Sequence, residues 1–185
     1  MTRTKKLAIA GLTVGLAAGV AAQTRTSQPE ARNDSIVVAE AARGNRSTQQ
    51  TDFLLEALRT SLAETRMGEL AAQQSYKQPV RDYGTRLRSD HTAHAAEIER
   101  LLAPTGVTIP TEPSPEATSQ LAALKRLSGE EFDAAFIQMA IWTHTEAVEK
   151  YGAQTHANPD RALHDFAERS LPMLREHLAT AESLR

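Results

Sequence analysis

The stretch that decides the fold is PVRDYGTRLRSDHTAHAAEIERLLA, residues 79–103. One line of residues in this stretch recurs in alternating steps of four and three, which is the spacing of a single helix face. That line consists of Val80, Gly84, Leu87, His91, His94, Ile98 and Leu101. Because its other members are small or apolar, the line predicts a helix that buries both histidines. A buried imidazole must find hydrogen-bond partners or bind a ligand. The stretch therefore predicts a polar or metal-binding centre inside a helical bundle.

Composition and boundary signals extend the helical prediction to the rest of the chain. Of the 185 residues, 41% are apolar, 4% are aromatic and only 9 are Gly, which favours helix over sheet. Pro79 suits a first helical turn, and Asn158-Pro159 is a cap followed by a first-turn proline. The predicted long helices are Thr48–Ser75, Pro79–Ala103, Ser128–His156, and a last one from Asn158 to the C-terminus.

Connection lengths predict how these helices are joined. The turns near Lys77 and Asn158 are short, so each joins two antiparallel helices into a hairpin. Between the hairpins lies Pro104–Leu127, which is rich in proline, is long enough to cross the bundle, and is predicted to carry a short helix at Glu116–Leu127. The expected fold is all-α, a ferritin-like four-helix bundle made of two antiparallel hairpins joined by a long crossover.

The N-terminal residues have the pattern of an export signal. Three basic residues precede the apolar run Leu7–Val20, and small residues lead to a cleavage site between Ala22 and Gln23. The run is short for a membrane span, although an uncleaved anchor is the alternative. The predicted organisation is a signal peptide at 1–22, a flexible linker at 23–46 and the bundle domain at 47–185. The expected location is the periplasm or the medium, without a membrane span after cleavage.

Charge and cysteine content narrow the classes of partner. Removing the leader takes three of the 21 basic residues and none of the 23 acidic ones, which leaves a net charge of −5. A mildly acidic domain is a poor fit for nucleic acid or anionic lipid. The absence of cysteine excludes disulfides and a lipoprotein anchor. The sequence indicates no particular protein partner or oligomeric state.

Three further polar residues are predicted to face the same interior as His91. His144 and His177 each lie on the apolar stripe of their helix. Glu64 lies on the same helix face as Phe53 and Met67, and a neighbouring apolar face of that helix is the alternative buried face. Counted from the turns, Glu64 and His91 lie at nearly one level. The same count places His177 about five residues from the level of His144, roughly 7.5 Å at 1.5 Å per residue. His177 is therefore the weakest member on geometry, although a kink at Pro172 could absorb part of the difference.

Several short motifs occur in a characteristic order between Thr51 and Leu184. They are Thr51-Asp52-Phe53-Leu54, Ala63-Glu64 with Gly68-Glu69-Leu70-Ala71, Asp90-His91, Ser128-Gly129 with Phe132-Asp133, His144, and Leu171-Pro172-x-Leu174-x-x-His177-Leu178. Together they resemble the bacterial DUF4142 domain. The resemblance implies a ferritin-like fold in an exported bacterial protein, of a kind often described as an outer-membrane protein, with no established activity. Two residues depart from the family pattern: His94 stands where a small residue is expected, and Ser61 where Gly is usual.

The chemistry that these residues predict is metal binding by nitrogen ligands. Di-iron proteins of this fold use Glu-x-x-His pairs, and the sequence contains none. A mononuclear site is easier to build, since three imidazoles and one carboxylate suit zinc, copper or iron. The predicted ligands are Glu64, His91, His144 and His177, with Asp90, His94 and Asp133 as outer partners or alternative ligands.

A metal-free interior is the other interpretation of the same residues. Glu64 or Asp90 could pair with His91 in a buried polar network that holds the helices in register. Without a complete catalytic motif, the favoured function is a non-catalytic binding or envelope-associated module, and the alternative is a metal-binding or redox protein with one divalent ion. Neither interpretation assigns a catalytic residue. Trp142 and Tyr151 are expected to be packing residues with a polar tip, and His156 and His164 to face water near a turn.

Overall fold

A computed structural model describes residues 30–157 and 160–185, with side chains described at 48–156 and 160–185. Its helices are α1 (Glu30–Gln74), α2 (Gln78–Leu102), a 3₁₀ turn (Ala103–Thr105), α3 (Pro115–Leu124), α4 (Gly129–Ala157) and α5 (Arg161–Ser183). The all-α prediction is confirmed for these residues. By internal contacts the chain divides into Met1–Ala39 and Glu40–Arg185, and the packing below concerns the second unit.

The start of the first helix differs from its prediction. α1 begins at Glu30, whereas the sequence predicts a start near Thr48, so the helix runs into the segment predicted to be a linker. This segment contains Ala and Glu residues, which favour helix even without an apolar stripe. The predicted signal peptide and its cleavage site lie outside the described residues.

The last helix also begins later than predicted. Its N-cap is Asp160, whose Oδ1 accepts from the backbone N–H of Ala162 at 2.9 Å and of Leu163 at 3.4 Å. The predicted cap, Asn158-Pro159, lies outside the described residues. An Asp side chain accepts hydrogen bonds from the unpaired backbone N–H groups of a first helical turn as well as an Asn side chain does. The sequence alone therefore does not decide between the two capping residues. The proline predicted in the first turn of α2 is confirmed at that position.

Helices α1 and α2 pack in opposite directions at a close crossing. A Cβ atom on Gly84 would lie 2.7 Å from the Gly68 carbonyl oxygen and 2.7 Å from the Ala71 side chain. Further along, Ser61 contacts His94. Higher numbers on one helix meet lower numbers on the other, which is the antiparallel order.

Three other pairs of neighbouring helices show the same order of contacts. Between α2 and α5, Arg86 pairs with Glu176 at 2.6 Å and Glu97 with Arg169 at 2.7 Å. Between α1 and α4, Glu64 contacts Thr143 and Glu56 pairs with Lys150. Between α4 and α5, the rings of Tyr151 and Phe166 lie 5.8 Å apart. Each of these pairs of helices is antiparallel.

The interior consists of two apolar clusters with a polar layer between them. The first cluster is centred on Leu58, Ile98, Leu102, Leu163 and Phe166, and the second on Met67, Leu87, Phe132, Phe136 and Ala181. The buried polar residues of the layer are Ser61, Glu64, His91, His94, His144, Ser170 and His177. The connection from α2 to α4 touches both clusters, because Val107 and Ile109 pack on the first and Leu121 and Leu124 belong to the second.

Candidate metal centre

Three histidines from three helices meet in the polar layer. The ring centroids of His91 and His144 are 5.4 Å apart, those of His91 and His177 are 5.4 Å apart, and those of His144 and His177 are 5.2 Å apart. One ring nitrogen of each lies within 4.8 Å of the other two. Each residue is at most 2% exposed. This nearly equilateral arrangement allows all three imidazoles to reach a common point.

His144 is held by the backbone of its own helix. Its Nδ1 lies 2.8 Å from the carbonyl oxygen of Ala140, so Nδ1–H donates and the lone pair of a neutral ring is on Nε2. That Nε2 lies 3.3 Å from Nε2 of His91. The ring is therefore fixed in the tautomer that presents a free lone pair to the other histidines.

His177 is held by a carboxylate. Its Nε2 donates to Oδ2 of Asp90 at 2.9 Å, while its Nδ1 is buried and has no hydrogen-bond partner among the described residues. An imidazole that donates one N–H to a carboxylate and keeps its other nitrogen free is the usual arrangement of a metal-bound histidine. Asp90 is partly exposed and also faces Arg86 at 3.6 Å.

Burial favours the neutral form of His91 and His177. It lowers the pKa of His91 well below the ordinary value, and the neighbouring His144, His94 and His177 lower it further. Burial also lowers the pKa of His177, against the opposing effect of its hydrogen bond to Asp90. Neutral imidazoles are the form that binds metal. Nδ1 of His91 is, like Nδ1 of His177, buried without a partner.

Glu64 lies in the same layer, but it is not part of the three-histidine group. Its Oε1 accepts from the hydroxyl of Thr143, and its Oε2 is buried without a partner. Burial raises the pKa of this carboxyl, although His144 and the bond from Thr143 act in the opposite direction. The sequence analysis does not predict Thr143 as a site residue, and the only indication of its role is that it precedes His144 in the sequence. The prediction of Glu64 as a ligand stays a prediction.

His94 belongs to a separate network. Ser170 donates to the Phe166 carbonyl at 2.8 Å, so it must accept from His94 Nε2–H at 3.1 Å. The lone pair of His94 is then on Nδ1, which accepts from the Ser61 hydroxyl at 3.0 Å. The ring is stacked on Phe166, and burial lowers its pKa to about 4. Both nitrogens of His94 are occupied, which explains its burial without a metal.

The remaining candidates lie apart from the histidine group. Asp133 is 1% exposed, and neither of its carboxylate oxygens has a hydrogen-bond partner. His156 is exposed as expected, and His164 is half-buried beside Asp165. Trp142, predicted to be a packing residue with a polar tip, is 51% exposed.

A cavity of about 350 Å³ adjoins the three-histidine group. Its lining comes from α1, α3 and α4, from the side of α2 that carries His91 and His94, and from Ser114 and Leu174. It touches Glu64, His91 and His144 at one part of its wall and half-exposed Trp142 at another. The group is therefore buried but lies next to space that a small molecule could occupy.

Fold and site together define the class: an all-helical protein with a buried cluster of three histidines. The family model described as "Domain of unknown function (DUF4142)" matches residues 36–184, and the chain belongs to this family. Among solved structures, the chain is similar to "Crystal structure of DUF305 fragment from Deinococcus radiodurans", with a TM-score of 0.64 and 19% identity. This match covers 74% of the present chain and 94% of the other, and it shows the fold alone. No curated protein sequence matches the chain.

Proposed function

We propose that this DUF4142 domain binds one divalent transition-metal ion through His91, His144 and His177. The observation that carries the proposal is the convergence of three almost fully buried imidazoles, with one nitrogen of each within 4.8 Å of the others. Unpartnered polar atoms in a core are costly, and a bound ion would satisfy the lone pairs that face the group.

The donor set fits a mononuclear site. Imidazole nitrogens suit zinc, copper and iron, and three of them together with one carboxylate oxygen leave a fifth coordination position open. Glu64 is proposed as the oxygen ligand, because its unpartnered Oε2 is buried in the same layer. When bound, the ion would supply Lewis-acid polarisation of whatever occupies the open position. Asp90 would orient His177, and the Ala140 carbonyl would orient His144.

The finer architecture and the location belong to the same proposal. The antiparallel contacts and the long connection between α2 and α4 support a ferritin-like four-helix bundle of two hairpins. Every helix in the described residues lacks a segment both long and apolar enough to cross a membrane. Together with the signal pattern at residues 1–22, this supports an exported protein, for which mass spectrometry should find an N-terminus near Gln23.

A metal-free module is the second candidate. The 3.3 Å separation between Nε2 of His91 and Nε2 of His144 is within reach of a hydrogen bond, which would hold the two helices together without an ion. In that case the domain would act through the surface of its bundle, as a binding or envelope-associated module. Chelators would then have no effect on its stability.

The test is a metal titration of the purified protein with elemental analysis and thermal unfolding. We expect one equivalent of zinc or cobalt to bind and to raise the melting temperature, because a ligand of the folded state stabilises it by mass action. The His91→Ala, His144→Ala double variant should lose both effects. The matched control is His156→Ala, His164→Ala, which removes two histidines outside the group. Equal binding by both variants, or no binding by the wild type, would contradict the proposal.

A further inference from the structure

The cavity beside the three-histidine group has two unlike ends. Its inner wall includes Glu64, His91 and His144, whereas His177 and Asp90 are not among the lining residues in the described part of the chain. A molecule in the cavity would therefore approach the ion from the side of His91 and His144.

Part of the lining of the cavity is apolar. Ala57, Ala63, Met67 and Met139 contribute to the wall, and Trp142 adds an indole ring that is 51% exposed. Methionine side chains adapt to ligands of irregular shape, and an aromatic ring that is half in solvent is typical of a binding surface. The volume of about 350 Å³ is at the lower end of small-molecule sites and is roughly ten times that of one water molecule.

Besides Glu64, the lining carries three carboxylates and two cations, namely Glu56, Glu116, Glu146, Arg59 and Lys150. Nζ of Lys150 lies 2.8 Å from Glu56 and 3.5 Å from Glu146, so its charge is compensated within the lining itself. The acidic side chain at the inner end is Glu64. Apart from the ion itself, this part of the lining therefore has one carboxylate in excess, which disfavours an anionic ligand.

We infer that the cavity binds a small molecule with an uncharged nitrogen donor at one end and an apolar, aromatic or aliphatic body. The nitrogen would occupy the open coordination position beside His91 and His144, and the body would lie against Met67, Met139 and Trp142. This inference rests on the proposed metal site, and it makes the domain a receptor for a metal-bound ligand.

The test uses the full chain loaded with cobalt, whose visible absorption reports changes in coordination. Imidazole, 4-phenylimidazole and benzoate are titrated in turn, and equilibrium dialysis checks that cobalt stays bound. We expect 4-phenylimidazole to bind at least about tenfold more tightly than imidazole, because its phenyl ring leaves water. Benzoate, which has the same ring and an anionic head, should bind more weakly than 4-phenylimidazole.

A pair of variants tests whether the cavity is responsible. Thr60 is half-buried and lines the cavity, while Thr65 is half-buried on the same helix and does not. Thr60→Trp should abolish the preference for 4-phenylimidazole while cobalt affinity is unchanged, and Thr65→Trp should retain it. Loss of the preference in both variants, equal affinity for both imidazoles, or tighter binding of benzoate would overturn the inference. Failure of cobalt to bind at all would instead overturn the metal site.

Discussion

Asp90 on α2 and His177 on α5 join two helices through a single hydrogen bond of 2.9 Å that also decides the tautomer of the imidazole. With the proton on Nε2 committed to the carboxylate, the lone pair of His177 is on Nδ1, which is buried and has no other partner. A partly exposed carboxylate thereby determines which nitrogen a completely buried ring offers to the interior.

Replacing this carboxylate should weaken metal binding without removing a ligand. Asp90→Asn is expected to reduce zinc or cobalt affinity by about 10- to 100-fold, because the histidine loses the group that orients it and raises its basicity. Competition with a chelator of known affinity measures the change. Glu176→Gln is the matched control, since Glu176 also pairs with Arg86. Equal affinity of the two variants would contradict the role of Asp90.

The buried histidines should make the metal-free protein sensitive to acid. The pKa of His94 is lowered to about 4, and those of His91 and His177 are lowered as well. In the unfolded chain each ring takes up a proton below about pH 6.5, whereas the folded protein does not until a lower pH. Stability present above pH 6.5 is therefore lost as the pH falls, and His94 alone contributes about 3 kcal/mol by pH 4.

Urea unfolding of metal-free protein measures this loss between about pH 7.5 and about pH 5. His94→Gln, which cannot titrate, should show a smaller dependence on pH than the wild type. His156→Gln is the control, because His156 is exposed and should leave the dependence unchanged. Stability independent of pH across this range in the wild type would rule out the neutral, buried state of the rings.

The crossing of α1 and α2 should not tolerate a methyl group. A Cβ at Gly68 would lie 2.5 Å from the Gly84 carbonyl oxygen and 2.7 Å from the backbone nitrogen of Arg88. Gly68→Ala should therefore destabilise the fold by about 1–3 kcal/mol. Gly152→Ala, in α4 with nothing within 4 Å, should stabilise it by roughly 0.5–1 kcal/mol. Thermal unfolding separates the two, and a neutral Gly68→Ala would show that the helices can move apart.

Ser61 and His94, the two residues that depart from the family pattern, are hydrogen-bonded to each other at 3.0 Å. Ser61→Ala should cost about 1–3 kcal/mol, because it leaves His94 Nδ1 buried without a donor. In a double-mutant cycle with His94→Ala, the loss should be smaller than the sum of the single losses, with a coupling of about 0.5–3 kcal/mol. Additive effects in denaturant unfolding would mean that the two departures are independent.

The sequence predicted the parts of the site that depend on one helix at a time. His91 and His144 were found because each lies on an apolar stripe of its own helix, and burial of that stripe follows from periodicity alone. The sequence predicts that His177 lies five residues away from the height of His144 along the bundle. Counted from the ends of α4 and α5, at Ala157 and Arg161, the difference is three residues, or roughly 4.5 Å. The later start of α5 accounts for part of that error.

Contacts that join several helices could not be predicted in the same way. The network of His94 depends on a serine from each of two other helices and on the direction of a hydroxyl proton at Ser170. The cavity depends on how the connection between α2 and α4 positions α3 against α1 and α4. Periodicity assigns residues to a buried face, but it does not say which buried residues meet, because that is set by helix crossing angles and side-chain rotamers.

The polar layer between the two apolar clusters also has a consequence for the specificity of folding. Amphipathic helices rich in Leu and Ala can slide past one another by one turn at little cost, because one apolar contact replaces another. In this protein such a shift would move His91, His94 or Glu64 among the leucines and phenylalanines of a neighbouring cluster and would break their hydrogen bonds. A buried polar group that is satisfied in a single alignment fixes register, as a lone asparagine does in coiled coils. The layer thus selects one alignment of the four long helices from several that apolar packing alone would allow.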